Sequence, residues 1–199
     1  MIKYILRTTV DVIVALISDI LLYPLFLLWN RSLRIRFNER IGLMVMKSVG
    51  RTGINSKILG WSIIRDPHNL SIGSHVSIGE GAYFFCKGGI EIDDNTQISR
   101  NCVIYSANHD IDGDKIPYDD NYIERRVKIG KSVWIGMNVC ITPGVQIGDG
   151  AIIGMGSVIS KNVGKGEVVV GTGQRVVSGR DLQKFDYLER SKSYFGLKK

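Results

Sequence analysis

From residue 72 onward, branched apolar residues return at every sixth position. Ile72, Ile78, Phe84 and Ile90 open the series, and Ile92, Ile98 and Ile104 continue it after a two-residue slip. Ile129, Ile135, Ile141, Ile147, Ile153 and Ile159 then keep the period without a break. Four residues after each of these comes a second, smaller position: Val133, Val139, Val145, Ala151, Ser157 and Val163. Glycine often follows the isoleucine directly, at Gly73, Gly79, Gly130, Gly136, Gly148 and Gly154. A period of six matches neither a helix nor an alternating strand of ordinary length. It predicts a solenoid of short strands with a corner every sixth residue. Isoleucine fills the interior, the second position takes a narrower inward side chain, and glycine relaxes the corner. Each coil buries its apolar column only against its neighbours, so the two ends of the stack need caps.

The first 57 residues follow another pattern. The run ILRTTVDVIVALISDILLYPLFLLW from Ile5 to Trp29 is long enough to span a bilayer. Asp11 and Asp19 oppose that, being costly at bilayer depth, and no small-residue cleavage site follows to make it a signal peptide. On a helical projection Tyr4, Thr8, Asp11, Ala15, Ser18 and Asp19 share one side, opposite a wide apolar face. Pro24 breaks or kinks the helix near its end. Arg31, Arg34, Arg36 and Arg40 follow at once. This pairing predicts either a helix lying on an anionic membrane surface through residues 1–40, or one packed on the protein itself or on a sister subunit. The tail DLQKFDYLER has helical character. The expected organisation is therefore a basic N-terminal helical segment over 1–57, a solenoid over 58–177 and a helical tail over 178–199, the two outer segments serving as caps.

Composition narrows the function. The chain of 199 residues suits a single domain, and 23 glycines against 4 prolines suit many tight turns. The first 57 residues hold nine Lys/Arg against three carboxylates, which is six of the seven net positive charges. The repeat body is nearly neutral, which argues against nucleic-acid binding along it. Cys86, Cys102 and Cys140 lie within repeat segments and read as reduced packing residues.

The repeat breaks at YSANHDIDGDK, residues 105–115. Residues 107–126 are polar, contain Gly113 and Pro117, and end where the column resumes, so they form a loop directed outward from the wall. A loop of this length inside a compact repeat is more often functional than idle. His109 stands at its foot. On chemistry alone it fits a general base, a metal ligand or a surface residue without a task.

The repeat resembles that of the hexapeptide-repeat acyltransferases, over roughly residues 70–177 and most densely in VKIGKSVWIGMNVCITPGVQIGDGAIIGMGSVISKNV. The resemblance implies an all-β body, a left-handed parallel β-helix with three hexads per coil, flanked by the N-terminal and C-terminal helices. Asn108-His109-Asp110 is similar to the element that carries the catalytic histidine in sugar and xenobiotic acetyltransferases of this fold, and Trp134-Ile135-Gly136 follows at a matching distance. His109 is then the general base, with Asp110 or Asn108 left open as its orienting partner. Coenzyme contacts fall on Met137, Met155, Ser160, Lys161 and Arg175, with Trp134 flanking the groove. The resemblance, closest to acetyltransferases of capsule and exopolysaccharide synthesis, further implies acetyl-CoA as co-substrate, no metal, a homotrimer, and a sugar or lipid-linked saccharide acceptor. The expected location is the cytoplasm, peripheral to the inner face of the membrane.

The chain also departs from that pattern. Gly171-Thr172-Gly173-Gln174 lacks the usual proline, and Met137 and Met155 replace small residues. Gly79 and Lys87 stand about where galactoside-type members hold the acceptor with an asparagine and an aspartate, so a different acceptor pocket is expected. Tyr83, Phe84 and Phe85 fit either an aromatic face for a sugar or core. Two alternatives share the fold: an antibiotic or serine acetyltransferase, and a γ-carbonic-anhydrase-like metal protein. The latter needs three converging histidines, whereas His68, His75 and His109 are spaced differently.

Overall fold

The computed structural model describes residues 22–29, 33–110, 118, 120–171, 175–179 and 181–192, with Asp11, Val14 and Ile17 as isolated positions. Most of the first amphipathic run, the loop tip with Gly113 and Pro117, the turn 172–174 and the Arg175 side chain lie outside the described residues.

The hexads wind into a parallel β-helix with three faces. The first face stacks Arg51–Thr52, Leu70–Ile72, Ile90–Ile92, Val127–Ile129 and Gln146–Ile147. The second stacks Lys57–Ile58, Ser77–Ile78, Gln97–Ile98, Trp134–Ile135, Ile152–Ile153 and Glu167–Val170, closed by the antiparallel strand Arg175–Gly179. The third stacks Ile63–Arg65, Tyr83–Phe85, Val103–Tyr105, Cys140–Ile141 and Val158–Ile159. The winding begins at Arg51, ahead of the visible column and of position 58: Thr52 stands where the column otherwise has isoleucine, pairing with Ile72, and Ile64 pairs in register with Phe84.

The apolar column is the core. Ile72, Ile78, Phe84, Ile98, Ile104, Ile129, Ile135, Ile141, Ile147, Ile153 and Ile159 are no more than 3 % exposed, as are all six of the smaller second positions. Polar residues in this interior bond to backbone, as buried polar groups must: Thr96 Oγ1 donates to Gly130 O at 2.7 Å and accepts from Val133 N at 3.1 Å. Burial pushes the thiols of Cys86 and Cys102 up to about 12 and about 11, so both stay protonated packing groups.

The two-residue slip has a definite place. Partners in successive coils are 20 residues apart before the insertion, as in Ser77–Gln97, 18 apart just after it, as in Trp134–Ile152, and 16 apart at the end, as in Ile152–Val168. The steps from first to second face and from second to third stay at six residues; the additions fall between the third face and the first. We call that junction the third corner.

Glycine plays a different part from the one expected. The residues that take left-handed backbone come two positions after the glycines, as a column of Asn55, His75, Asn95, Ser132, Gly150 and Gly166 at one corner and Gly81, Asn101, Asn138 and Gly156 at the next. The glycines themselves give the coils room to stack. A Cβ at Gly136 would lie 2.6 Å from Met155 N, and one at Gly148 2.6 Å from Lys165 N.

The helix Arg34–Met46 caps the first coil. Ile41 and Gly42 are buried there, a Cβ on Gly42 would strike Ile58 O, and Gly60 N donates to Asn38 O at 3.0 Å. The tail behaves otherwise than expected. The Glu167–Val170/Arg175–Gly179 hairpin ends the second face, while the helix Leu182–Arg190 lies along the flank of the stack. Phe185 fills the slot left open by Gly150, Ser132 Oγ donates to Glu189 at 2.6 Å, and Lys165 pairs with Asp186 at 2.9 Å.

Candidate active site

At the third corner of the third coil the chain leaves the wall after Ser106 and returns at Val127. The excursion starts and ends as an antiparallel hairpin, Ala107–His109 against Tyr122–Glu124, with His109 opposite Tyr122. Its root is tied to the neighbouring coils. Arg125 N donates to Ser106 O at 2.7 Å, Val127 N to Gly89 O at 3.1 Å, and Gly144 N to Arg125 O at 3.0 Å. Ser106, fully buried, donates to Phe85 O at 2.8 Å and accepts from Gly88 N at 3.0 Å. A rigid foot thus carries the histidine.

The half-buried His109 ring lies between two tyrosines, 4.1 Å from the Tyr118 ring and 4.2 Å from that of Tyr122. Tyr122 continues into an aromatic wall: Phe85 is 5.4 Å from Tyr122 and 5.5 Å from Tyr105, and Tyr105 stacks on Tyr83 at 5.8 Å. Phe84 belongs to the core, Phe85 is buried in this wall, and only Tyr83 of the three is partly open. Neither flanking tyrosine stood out in the sequence. The available signal was two aromatics within an otherwise polar insertion. Asp110 is half-buried and bonds through its amide to Asn121 O at 3.0 Å, while Asn108 is exposed.

The expected coenzyme positions divide between corners. Met137 and Met155 occupy equivalent places on successive coils at the corner between second and third faces, linked by Gly156 N to Met137 O at 2.9 Å. Trp134, 54 % exposed, stands on the second face, and Met155 is 72 % exposed. Ser160 and Lys161 are exposed at the third corner, two coils beyond the hairpin. Arg175 begins the last strand. Within the chain, the hairpin shares a corner with Ser160 and Lys161 but not with Trp134, Met137 and Met155.

Comparison with known proteins supports the periodicity. The family described as bacterial transferase hexapeptide (six repeats) matches residues 126–161. The chain is a hexapeptide-repeat β-helix. Solved structures of that left-handed fold superpose on most of it. A maltose O-acetyltransferase from Clostridium difficile 630 is 29 % identical, covers 77 % of this chain and 81 % of its own, and has a TM-score of 0.65. A hexapeptide-repeat-containing acetyltransferase from Vibrio cholerae O1 biovar eltor, complexed with acetyl coenzyme A, is 26 % identical over 69 % of this chain and 74 % of its own, with a TM-score of 0.64. A variant of the N-acyltransferase AntD from Bacillus cereus, in complex with a dTDP-amino sugar and coenzyme A, shares the fold at 23 % identity, 76 % and 96 % coverage and a TM-score of 0.60. No curated protein matches the chain in sequence.

The three histidines of this hexapeptide-repeat chain stand apart. His68 lies in the short turn Pro67–Asn69 at the third corner of the first coil, His75 occupies a left-handed position at the corner after the first face, and His109 is on the hairpin. Among the described residues no group of three His, Cys, Asp or Glu is placed to hold a metal ion. Ahead of the cap, Leu22 and the short helix Tyr23–Leu28 expose nearly every apolar side chain, including Leu25 at 60 % and Phe26 at 56 %. No helix among the described residues is long and apolar enough to cross a membrane.

Proposed function

We propose that this protein is an acetyl-CoA-dependent O-acetyltransferase that acetylates a sugar hydroxyl in surface polysaccharide synthesis, with His109 as general base. The observation that carries the reading is the presentation of His109 between Tyr118 and Tyr122 on a hairpin rooted in three coils. The likeness to acetyltransferases, one of them a maltose O-acetyltransferase, supports the reaction class.

A sugar hydroxyl is too weakly acidic to attack a thioester unaided. The imidazole of His109 takes the hydroxyl proton as the oxygen bonds to the acetyl carbon, then returns it to the sulfur as the carbon–sulfur bond breaks. The tyrosine faces fix the ring plane, so little orientational freedom is lost on the way to the transition state. Acetyl-CoA, when bound, supplies the acetyl group as a thioester. The exposed surfaces of Trp134, Met137 and Met155 suit its pantetheine arm, and Lys161 and Arg175 suit its phosphates. Because these residues divide between corners, the working unit is a homotrimer in which the third corner of one protomer faces the methionine corner of the next.

The acceptor sugar is free or lipid-linked, and the protein works at the cytoplasmic face of the membrane. Support comes from the exposed apolar residues 22–29 beside exposed Arg34, Arg36 and Arg40. Full-length protein is expected to float with anionic vesicles at low salt, and a variant with Arg34, Arg36 and Arg40 all changed to Glu to remain behind. Equal flotation of the two would remove the membrane from this reading.

The deciding experiment is acetyl transfer from acetyl-CoA to a panel of sugars and amino sugars by wild type and His109→Ala. General-base catalysis contributes about 10²–10⁴-fold, so the variant should lose at least about 100-fold in kcat with its melting temperature unchanged. A fully active, folded variant overturns the role of His109.

A further inference from the structure

Beside the hairpin, a cavity of about 570 Å³ opens at the third corner of the first three coils. That volume is within the range of small-molecule sites, roughly 300–1,000 Å³. Its charged lining is Arg51, His68, Lys87, Glu91, Glu124 and Arg126. The cavity is a product of the irregular corner. His68 belongs to the extra residues between the third face of the first coil and Leu70, Lys87 to those between Phe85 and Ile90, and Glu124 and Arg126 to the returning end of the insertion. Gly88 and Gly89 keep the floor low. A Cβ at Gly88 would lie 2.8 Å from Arg125 N, and one at Gly89, where φ is +92°, 2.9 Å from Arg126 Nε.

The charges do not balance. Three permanent cations face two carboxylates. Glu91 is engaged twice, by Arg126 at 2.7 Å and by Lys128, which is not part of the lining, at 3.6 Å. Lys87 and Glu124 are 3.8 Å apart, too far for a hydrogen bond and with both side chains well exposed. Arg51 and His68 have no side-chain partner among the described residues. One lining residue, Lys87, also approaches the candidate base. Lys87 Nζ sits 5.1 Å from the centre of the Tyr122 ring, which is itself 4.2 Å from the His109 ring. Lys87 is thus separated from the imidazole by one aromatic ring.

We propose that this cavity holds the acceptor, and that the acceptor is an anionic saccharide whose carboxylate or phosphate is bound by Arg51 and Lys87. This rests on the transferase reading above for the word acceptor, but not for the binding. A neutral sugar would leave Arg51 idle. An anionic group gains charge-assisted hydrogen bonds from it, and displaces the loose Glu124 from Lys87 at little cost. Arg51 supplies a planar donor fork suited to either anion, and Lys87 a mobile point charge.

The test is ligand-observed NMR titration of the full-length protein with glucuronate, galacturonate, glucose 6-phosphate and glucose, without acetyl-CoA. At least one charged sugar should bind about tenfold more tightly than glucose, and the affinity should fall about tenfold in Arg51→Gln and in Lys87→Gln while Lys87→Arg retains it. Melting curves confirm that each variant is folded. The uronate and phosphate arms identify which anion is preferred. Failure of every charged sugar to bind, equal binding of glucose, or unchanged affinity in both glutamine variants overturns the proposal. If the charged sugars bind but are never acetylated, the site stands and the transferase reading falls. If glucose is acetylated and no charged sugar binds, the site falls and the transferase reading stands.

Discussion

The three faces and the third corner are built to different rules. On the faces, each strand of the column from Ile72 to Ile159 presents a buried apolar residue to the axis, and the spacing from face to face does not change along the described coils. At the third corner the spacing changes almost every time. The first two coils carry two extra residues there, the third carries the whole insertion, the fourth keeps the plain hexad, and the fifth is two residues short, since Ile147 bridges to Val163. Length varies where it does not disturb the column. His68, Lys87, His109, Arg126 and Lys161 all stand at or beside this corner. A solenoid tolerates outward excursions at a corner because the inward-facing residues on either side still stack in register. The faces hold the core, and the corner carries the variable lengths together with these charged and titratable side chains.

This division can be broken from the stability side. Ile135 is fully buried in the middle of the second face, paired above and below with Ile98 and Ile153. Ile135→Ala removes buried methylenes between two fixed coils, and such changes cost about 2–5 kcal/mol. Chemical denaturation should show a loss in this range. A loss below about 1 kcal/mol would mean that the coils can collapse into the space, contrary to a close-packed column.

What the sequence made legible follows the same division. The column was visible from Ile72 onward because isoleucine at every sixth place is a strong signal, and the structure places each of those residues in the core. The first coil was not, since Thr52 and Ile64 do not stand out until their partners Ile72 and Phe84 are known. The insertion declared itself by interrupting the period, and its histidine by standing at the interruption. Tyr118 and Tyr122 did not, because a ring contact across a hairpin has no signature in spacing. Arg51, Lys87 and Arg126 lie 36 and 39 residues apart in the chain and meet only because coils stack. The tail was read correctly as helical, but its docking depended on Phe185 finding the gap at Gly150, which no local pattern encodes.

The glycines offer a finer comparison, between two positions on one corner. Gly136 has ordinary backbone but no room, since a Cβ would sit 2.6 Å from Met155 N and 2.9 Å from its Cα. Gly156, the next coil's turn residue, has φ +70° and nothing within 4 Å of a built Cβ. Gly136→Ala forces adjacent coils apart, and overpacking of this kind costs about 1–3 kcal/mol. Gly156→Ala meets no atom and bears only the left-handed penalty, about 1–2 kcal/mol, partly offset by the lower entropy of the unfolded chain. Two further substitutions separate the causes. Asparagine, which tolerates left-handed backbone and occupies the equivalent position at Asn138, should be nearly neutral at 156 and at least as harmful as alanine at 136. Thermal melting of the four variants gives the order. If Gly136→Asn proved as mild as Gly156→Asn, the glycines after the isoleucines would be serving the turn after all, and close coil stacking would not be the reason for them.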